Sequence, residues 1–494
     1  MNIIDPVSSI IDMTVEPVTS FINKNIFPVT SFLGKTIEPL TELASRTISP
    51  IASLINKTIK VPEDLSSITT IKADQEVDPY DAGMTKDGVK AIWARVEDLY
   101  RTGIYPGVGF CMRRRGKVIL NRAIGHARGN GPDEPSNSEK ILLTPDTPIC
   151  QFSASKAITA MLIHLLVERK AIDLLDPVCH YIPEFAQHGK EHTSIYHIIS
   201  HHGGIPKPPP DTDPEILFDH QAFVKLLCDS KPESKGGRRQ AYHAVTGGTI
   251  LGEIIRRVTG LDIREFLYRT IKKPLGLKYF NYGLEEEDIH KIAINYVTGP
   301  PLIYPFSSLA KRALSVAWEE VVRISNEPRF LRTIVPAANL VATTDEMSKF
   351  FQLMLNGGEL DGVRIFEPLS IKRSIMESDN IHFDGTMVIP MRYSAGLMLG
   401  ASPVGLWGPY TQSAYGHIGF MNIFCWADPK REIAISLQTT GKSLIGPHIL
   451  PLARLLAYIS WYCRPGGLPG EITEAYTSFI LPIQQILQRS LMAW

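Results

Sequence analysis

The chain has 494 residues, enough for two or three average domains or for one large enzyme domain with an extension. Its 44% apolar and 21% charged residues are ordinary for a globular protein. Because 51 basic side chains balance 51 acidic ones, no overall field favours nucleic acid, and we expect no nucleic-acid partner.

The cysteine spacing and the N-terminal sequence bear on the cellular compartment. The six cysteines form no C-x-x-C pair and no Cys/His cluster at zinc spacing, which predicts free thiols and a reducing compartment. We expect no metal site and no cofactor. The opening MNIIDPVSSIIDMTVEP has neither a basic n-region nor an uninterrupted apolar run, which disfavours a signal or transit peptide. No apolar run reaches the ~18 residues of a spanning helix. We therefore expect a cytoplasmic protein, with peripheral attachment to a lipid surface left open.

A regular proline repeat opens the chain. The prolines recur every eleven residues, at Pro6, Pro17, Pro28, Pro39 and Pro50. An eleven-residue period equals three helical turns, and it places apolar side chains on one face and Thr, Ser, Asn and Lys on the other. Since proline removes a hydrogen bond inside a helix, residues 1–60 are predicted to be a string of short helices or a kinked amphipathic helix. Contact with a lipid surface, self-association into a homo-oligomer and a plain extension all remain open.

Two further segments flank the central region. Residues 61–84 are polar and contain Pro62 and Pro79, which predicts a linker. Residues 466–494 include YTSFILPIQQILQRSLMAW. This segment repeats the order TSF, apolar residues and proline of the N-terminal repeat, and it predicts an amphipathic tail. We expect both ends of the chain to serve one surface, and residues 85–465 to form the folded domain.

From about Met84 the pattern is that of a folded domain. The segment PGVGFCMRRRGKVILNRAIGHA (Pro106–Ala127) predicts a β-hairpin. The next segment, LTPDTPICQFSASKAITAMLIHLLVERK, predicts a turn followed by a helix. Apolar residues of this helix recur at helical spacing and predict one buried face: Ile158, Met161, Leu162, Leu165 and Leu166.

Ser153 and Lys156 stand at the start of this helix, three residues apart, so their side chains share a face. A serine hydroxyl is a weak nucleophile, and a partly desolvated lysine with a depressed pKa is a suitable base for it. A helix N-terminus also directs backbone N–H groups toward developing negative charge. Alone, S-x-x-K is a common pattern, and most of its occurrences are serine and lysine side chains on a protein surface without a catalytic role.

Further motifs follow in order. The sequence YHAVTGGTILGE begins at Tyr242, and His417-Ile418-Gly419 precedes an apolar, strand-like segment. With the hairpin, the block Leu143–Lys156 and the segment Asn339–Ile365, they resemble the serine β-lactamase and penicillin-binding-protein family. The resemblance is greatest to its esterase and class C-like branch, and it covers about residues 85–462.

The resemblance implies an α/β (α+β) fold of the β-lactamase/transpeptidase type. An antiparallel sheet would be flanked by helices, with a mainly helical region inserted at about 150–385 and the active site between them. The sheet would draw on the Pro106 hairpin and on strands around residues 415–437. This arrangement would bring Ser153 and His417 together despite their separation in sequence.

The resemblance also implies roles for individual residues. Ser153 would attack a carbonyl carbon and become acylated, while Lys156 would take its proton or keep Tyr242 ionised. Tyr242 would protonate the leaving group and then activate water or an acceptor alcohol. His417 would assist without a permanent charge. The backbone N–H groups of Ser153 and Phe420 would form the oxyanion hole.

Two positions depart from the family pattern. Ala244 replaces an asparagine that contacts the substrate's side-chain amide in penicillin-recognising members, and His417 replaces a lysine. Both weaken the case for a β-lactam substrate and shift the expectation to an ester, or to a small amide or acyl transfer. The loop at residues 201–215 is rich in glycine and proline, which predicts an unusual rim of the cleft. No G-x-S-x-G elbow is present, which disfavours an α/β-hydrolase.

Neighbouring residues complete the candidate substrate-binding set: Gly419, His243, Trp407 and Tyr410. Trp407 and Tyr410 are close to the third motif in sequence and are candidates to line an acyl pocket, although ordinary packing explains them equally well. His243 has the same two interpretations. His201 and His202 are adjacent and point to different sides, which favours loop packing over metal binding.

These observations predict a serine hydrolase that acts through an acyl-enzyme on Ser153, with carboxylic-ester hydrolysis as the leading function. An acyltransferase or a peptidase on the same scaffold remains an alternative. A third alternative is a non-catalytic scaffold that self-assembles or coats membranes. The expected partners are a small ester or amide substrate and, through residues 1–60 and the C-terminal tail, a lipid surface.

Overall fold

A computed structural model of the chain describes residues 56–304 and 306–464. Nearly all of the predicted N-terminal extension and the whole predicted C-terminal tail lie outside these residues, so both stay predictions. From Lys57 onward the described residues belong to one compact unit. No helix within the described ranges is long and apolar enough to cross a membrane.

A large antiparallel sheet organises the domain. Its strands are β1 (Thr69–Ile71), β2 (Gly107–Arg114), β3 (Lys117–Arg128), β4 (Ile141–Leu142), β5 (Met398–Leu399), β6 (Tyr415–Gly419), β7 (Ile423–Asp428) and β8 (Ile433–Thr439). Their order is β1-β3-β2-β8-β7-β6-β5, with β4 paired to β3. The β2–β3 hairpin turns at Arg115 and Gly116, which both have positive φ, as a tight hairpin turn requires. The predicted hairpin is thereby confirmed.

The sheet joins the two ends of the domain. Strand β8 pairs with β2 along the whole length of β8, from Val108 opposite Thr439 to Arg114 opposite Ile433. Every residue of β2, β6, β7 and β8 is buried, which means that both faces of the sheet are covered. This pairing places the third motif, on β6, in the same sheet as the N-terminal hairpin.

Helices cover both faces of the sheet and form the inserted region. The longer ones are α1 (Lys86–Arg101), α2 (Ser155–Glu168), α3 (His220–Asp229), α4 (Thr246–Thr259), α5 (Phe306–Leu314), α6 (Trp318–Ser325), α7 (Thr344–Leu355) and α8 (Ile449–Tyr462). Shorter helices span Val178–Tyr181, Ile195–Ile199, Ile263–Leu267, Pro328–Arg332 and Pro368–Ser374.

Two apolar cores follow from the alternation of side chains along the strands. One core joins α1 and α8 to residues such as Phe110 and Ile435 on one face of the sheet. The other joins α7 and the helical region to residues such as Cys425 and Ala434 on the opposite face. All six cysteines are free thiols, as predicted.

Two boundaries of the predicted layout need correction. The segment 61–84 is not a linker, because β1 pairs with β3 (Thr69 opposite Ile124) and Leu65 and Met84 are buried. Helix α7 falls inside the predicted helical insert, yet it packs against β2, β7 and β8 as part of the sheet layer. A capping box of Thr343 and Glu346 fixes its start.

A small second sheet connects the helical region to the start of α2. Its strands, in spatial order, are Ile149–Cys150, Leu340–Ala342 and Asn281–Tyr282. Nearly every residue of α2 is buried, which makes it the central helix of the domain. The residues just before α2 are therefore held from several sides.

Candidate active site

Ser153 lies in a single 3₁₀ turn, Phe152–Ala154, that runs directly into α2. Phe152 has a φ of 45°, a left-handed conformation that a bulky residue rarely adopts. The Ser155 hydroxyl donates to the Phe152 carbonyl oxygen and accepts from the Leu340 backbone N–H at 2.9 Å. The strained turn is thus tied to the second sheet, which holds Ser153 in place.

The Lys156 amine adjoins the Ser153 hydroxyl. Its Nζ is 3.1 Å from Ser153 Oγ and 3.0 Å from the Ala337 carbonyl oxygen. Burial lowers the pKa of Lys156 well below the usual lysine range, because a charged ammonium is poorly solvated there. The amine is therefore suited to accept the serine proton.

Tyr242 lies on the other side of the lysine. Lys156 Nζ is 4.9 Å from the centroid of the Tyr242 ring, and the phenol is hydrogen bonded to Ser153. Burial, followed by the negative charge of Asp384, raises the pKa of Tyr242, whereas the bond to Ser153 lowers it. The phenol is therefore protonated at neutral pH, so the opposite pKa shifts of the two groups favour Lys156 as the base over an ionised Tyr242.

His417 is buried in β6 and faces the same group of side chains. Its ring centroid is 6.1 Å from that of Tyr242. The Nδ1 atom donates to the Ile418 carbonyl oxygen at 2.7 Å, which leaves Nε2 as an acceptor that no described residue pairs with. Burial lowers the pKa of His417 to about 3, so the ring is neutral.

The predicted oxyanion hole joins the start of α2 to the end of β6. A Cβ on Gly419 would lie 2.2 Å from the Gln151 carbonyl oxygen, so only glycine lets β6 approach the turn that carries Ser153. Gly419 thus acts through close packing, whereas the sequence predicted a substrate contact. The Phe420 ring stacks on Phe152 at 5.1 Å between centroids, which couples the two residues next to the hole.

Asp384 is a site residue that the sequence did not reveal. It is fully buried in the turn between the short strands His382–Phe383 and Pro390–Met391. Its Oδ1 accepts from the backbone N–H groups of Tyr242 at 3.1 Å, Thr386 at 2.8 Å and Met387 at 2.8 Å. Asp384 therefore fixes the backbone of Tyr242. Separated from it by 142 residues, it left no spacing signal.

Two neighbouring histidines, His201 and His243, pack around the segment that carries Tyr242. The His201 ring lies 4.7 Å from the Tyr242 ring, and its Nδ1 accepts from the His243 backbone N–H at 3.2 Å. His243 is buried and donates from Nδ1 to the Ala241 carbonyl oxygen at 2.8 Å. His243 therefore packs in the loop and does not line the cavity described next. Among the described residues no group of His, Cys, Asp and Glu side chains could hold a metal ion.

A cavity of about 1170 Å³ opens beside the nucleophile. Ser153, Tyr242, Ala244 and Phe420 belong to its lining, whereas Trp407 and Tyr410 do not. The Trp407 ring stacks on that of Trp426 at 5.6 Å in the core, and Tyr410 is 46% exposed. The interpretation of Trp407 and Tyr410 as acyl-pocket residues is therefore wrong.

The amino-acid sequence is similar to a known protein family and to known proteins. The family model described as Beta-lactamase matches residues 89–457. The esterase/β-lactamase LipL of Mycobacterium tuberculosis (strain ATCC 25618 / H37Rv) is 26% identical over 303 residues, which are 58% of this chain and 67% of that protein.

Two solved structures have the same fold. A penicillin-binding protein homologue from Caulobacter crescentus is 26% identical, with a TM-score of 0.66 over 77% of this chain and 98% of that chain. A family VIII carboxylesterase is 23% identical, with a TM-score of 0.65 over the same shares of the two chains, and this likeness concerns the fold alone. The predicted fold class is confirmed.

Proposed function

Since this chain belongs to the Beta-lactamase family, we propose that it is a serine hydrolase that cleaves carboxylic esters through an acyl-enzyme on Ser153. One observation carries the proposal. Lys156 Nζ lies 3.1 Å from Ser153 Oγ, and burial holds the pKa of this lysine well below its usual range. A neutral amine at hydrogen-bonding distance is what a serine needs to become a nucleophile.

In the acylation step, Ser153 Oγ attacks the carbonyl carbon of the ester while its proton passes to Lys156 Nζ. The negative charge on the carbonyl oxygen is stabilised by the backbone N–H groups of Ser153 and Phe420. When the bond to the leaving oxygen breaks, Tyr242 donates its phenolic proton to that oxygen. The proton on Lys156 then restores the phenol, which leaves a neutral acyl-enzyme and an alcohol.

Deacylation reverses these roles. A water molecule enters beside Tyr242 and attacks the acyl carbon, and its proton passes through the phenol to the Lys156 amine. The bond to Ser153 Oγ breaks, the serine recovers its proton, and a carboxylic acid leaves. Each proton step uses groups that lie close together in the free enzyme, so we expect no large rearrangement between the two half-reactions.

Two side chains support an ester over a β-lactam. Neutral His417 stands where the resemblance places a lysine, so it offers a substrate carboxylate no permanent positive charge. Ala244 stands where the resemblance places an amide, so it cannot bond to a substrate's side-chain amide.

Labelling and turnover test the proposal together. We expect a fluorophosphonate probe to label the wild-type chain and p-nitrophenyl butyrate to be hydrolysed, while Ser153→Ala loses both. Ser67→Ala, which changes an exposed serine outside the site, is the matched control and should retain both. Undiminished hydrolysis by Ser153→Ala would refute the proposal.

Acyl transfer is the second candidate, and the apolar cavity beside Ser153 favours it, because an alcohol competes well with water in such surroundings. The test is to add increasing concentrations of a primary alcohol during ester turnover. If transfer dominates, the new ester forms at the expense of the free acid and the rate depends on the alcohol. Formation of free acid alone leaves hydrolysis as the activity.

A further inference from the structure

We propose that the ester cleaved at Ser153 carries a long apolar chain, and that this chain lies in the cavity beside the nucleophile. The inference rests on the proposed function and names its substrate class. The cavity volume of about 1170 Å³ exceeds the roughly 300–1,000 Å³ of common small-molecule sites. An acetyl or butyryl group would leave most of this volume unused.

The inner wall of the cavity is apolar. Phe223 of α3, Ala310 of α5, Ile324 of α6 and Phe330 line it, and all four are buried. They come from separate elements that meet around the cavity. Such a wall offers dispersion contacts to a hydrocarbon chain and gains free energy when the chain leaves water.

Six charged side chains line the cavity, and four of them are exposed: Asp211, Asp213, Lys311 and Arg312. The other two, Lys207 and Glu320, are half-buried, and each forms an ion pair with an opposite charge of the protein. Exposed charges remain solvated and do not require a charged ligand for compensation. The chain that fits the inner part of the cavity is therefore uncharged.

A small residue lines the cavity close to the nucleophile. Ala244 lines the cavity two positions after Tyr242. A larger side chain at this position would take up part of the space beside Tyr242. The methyl group of Ala244 therefore leaves this part of the cavity free for a substrate chain.

Either the acyl group or the alcohol group of the ester can carry this chain, because the carbonyl carbon that Ser153 attacks joins the two groups. The test therefore uses two substrate series: p-nitrophenyl alkanoates of increasing acyl length, and acetate esters of increasingly long primary alcohols. Burying each additional methylene improves kcat/KM by up to about fourfold until the cavity is full. We expect this rise in one of the two series, which also identifies the side that enters the cavity.

Two cavity variants make the assignment specific. Ala310→Trp fills part of the cavity and should lower the ratio of long-ester to short-ester kcat/KM by at least about tenfold. Ile324→Ala enlarges the cavity and should move the preferred chain length upward. Ala73→Trp, the same change at an exposed alanine outside the cavity, is the matched control and should leave the ratio as in wild type. Because a ratio is independent of the amount of active protein, partial misfolding does not mimic the effect.

The outcomes separate this inference from the function on which it rests. A kcat/KM that is flat or falling with chain length in both series overturns the inference, while labelling of Ser153 and turnover of short esters keep the proposed function. An unchanged ratio in both Ala310→Trp and Ile324→Ala also overturns it. Absence of both labelling and ester turnover overturns the proposed function itself.

Discussion

At the residue scale, the protonation state of Lys156 controls the proposed chemistry. The lysine accepts a proton only when it is neutral, and burial lowers its pKa well below the usual range. Tyr242 has the opposite shift, since burial raises its pKa and keeps the phenol protonated. Between these two pKa values the free enzyme has a neutral base and a neutral acid at once.

This arrangement predicts the pH dependence of ester turnover. As the pH falls through the lowered pKa of Lys156, the amine gains a proton, so kcat/KM should fall on the acid side and remain high through neutral pH. The measurement is kcat/KM for a neutral ester across the acid and neutral range. At neutral pH, where the wild-type amine is neutral, Lys156→Met should lower kcat about 10²–10⁴-fold, because the base is gone.

The control for the pH profile is His417→Asn. Because the pKa of His417 is lowered to about 3, its ring is neutral throughout this range and should not set the acid limb. We therefore expect the midpoint of that limb to be the same in His417→Asn as in wild type, whatever the change in rate. Activity that rises only in the alkaline range of an ordinary lysine would contradict a buried, neutral Lys156.

Asp384 is a positioning residue, and its removal should act through Tyr242. Asp384→Ala leaves three backbone N–H groups without this acceptor, and the two that are buried, those of Tyr242 and Thr386, each cost about 1–3 kcal/mol in the free energy of unfolding. We expect a lower melting temperature and a lower kcat with a smaller change in KM, because the phenol moves while the cavity stays.

The conservative variant separates position from stability. Asp384→Asn retains an oxygen that accepts from the Tyr242 backbone, so it should recover most of the kcat that Asp384→Ala loses. If Asp384→Asn is as slow as Asp384→Ala although it is thermally more stable, the carboxylate has a role other than positioning. Calorimetry gives the melting temperature and steady-state kinetics give kcat and KM, and both are measured on the same samples.

At the element scale, the proposed oxyanion hole depends on the close approach of β6 to the turn before α2. Gly419→Ala would place a Cβ 2.2 Å from the Gln151 carbonyl oxygen and push the two elements apart. The two N–H groups would then be misaligned, and kcat should fall about 10²–10³-fold. Gly362→Ala is the control, because a Cβ there meets no atom within 4 Å; its φ of 77° predicts some loss of stability but an unchanged kcat. Equal kcat in Gly419→Ala and wild type would rule out this geometry.

The same scale shows which elements could be predicted from the sequence. The hairpin from Gly107 to Arg128 and helix α2 have clear apolar periodicity, and both were predicted. Strand β1 was missed, because its three residues Thr69–Ile71 are polar in part and none is buried. The position of α7 on the sheet was missed as well, since an apolar helix face does not reveal which surface it meets.

Site residues divide in the same way. Ser153, Lys156, Tyr242 and His417 belong to ordered motifs, and the structure brings them together. Sequence proximity to a motif misled for Trp407, which lies in the turn between the short strands Val404–Gly405 and Gly408–Pro409 and packs on Trp426 in the core. Asp384 depends on a long-range contact that only the folded chain creates.

At the scale of the whole molecule, the proline repeat remains a prediction with a definite charge argument. Residues 1–55 hold three basic side chains, Lys24, Lys35 and Arg46, against five acidic ones. Attraction to anionic lipid is therefore weak, and any binding to a surface must come from the apolar face. We expect the full chain to bind neutral phosphatidylcholine vesicles and anionic vesicles equally strongly, with little dependence on salt concentration.

A flotation assay with two chains checks this prediction. The shortened chain should begin at residue 56, because Lys57 pairs with Gly299 and Ile59 is buried in the domain. We expect the full chain to float with vesicles and residues 56–494 to float less, with equal fluorophosphonate labelling of Ser153 as proof that both are folded. Equal flotation of the two chains would show that the repeat does not contribute to lipid binding. Light scattering on the same pair then tests self-association, because a repeat that joins copies makes the full chain the larger particle in solution.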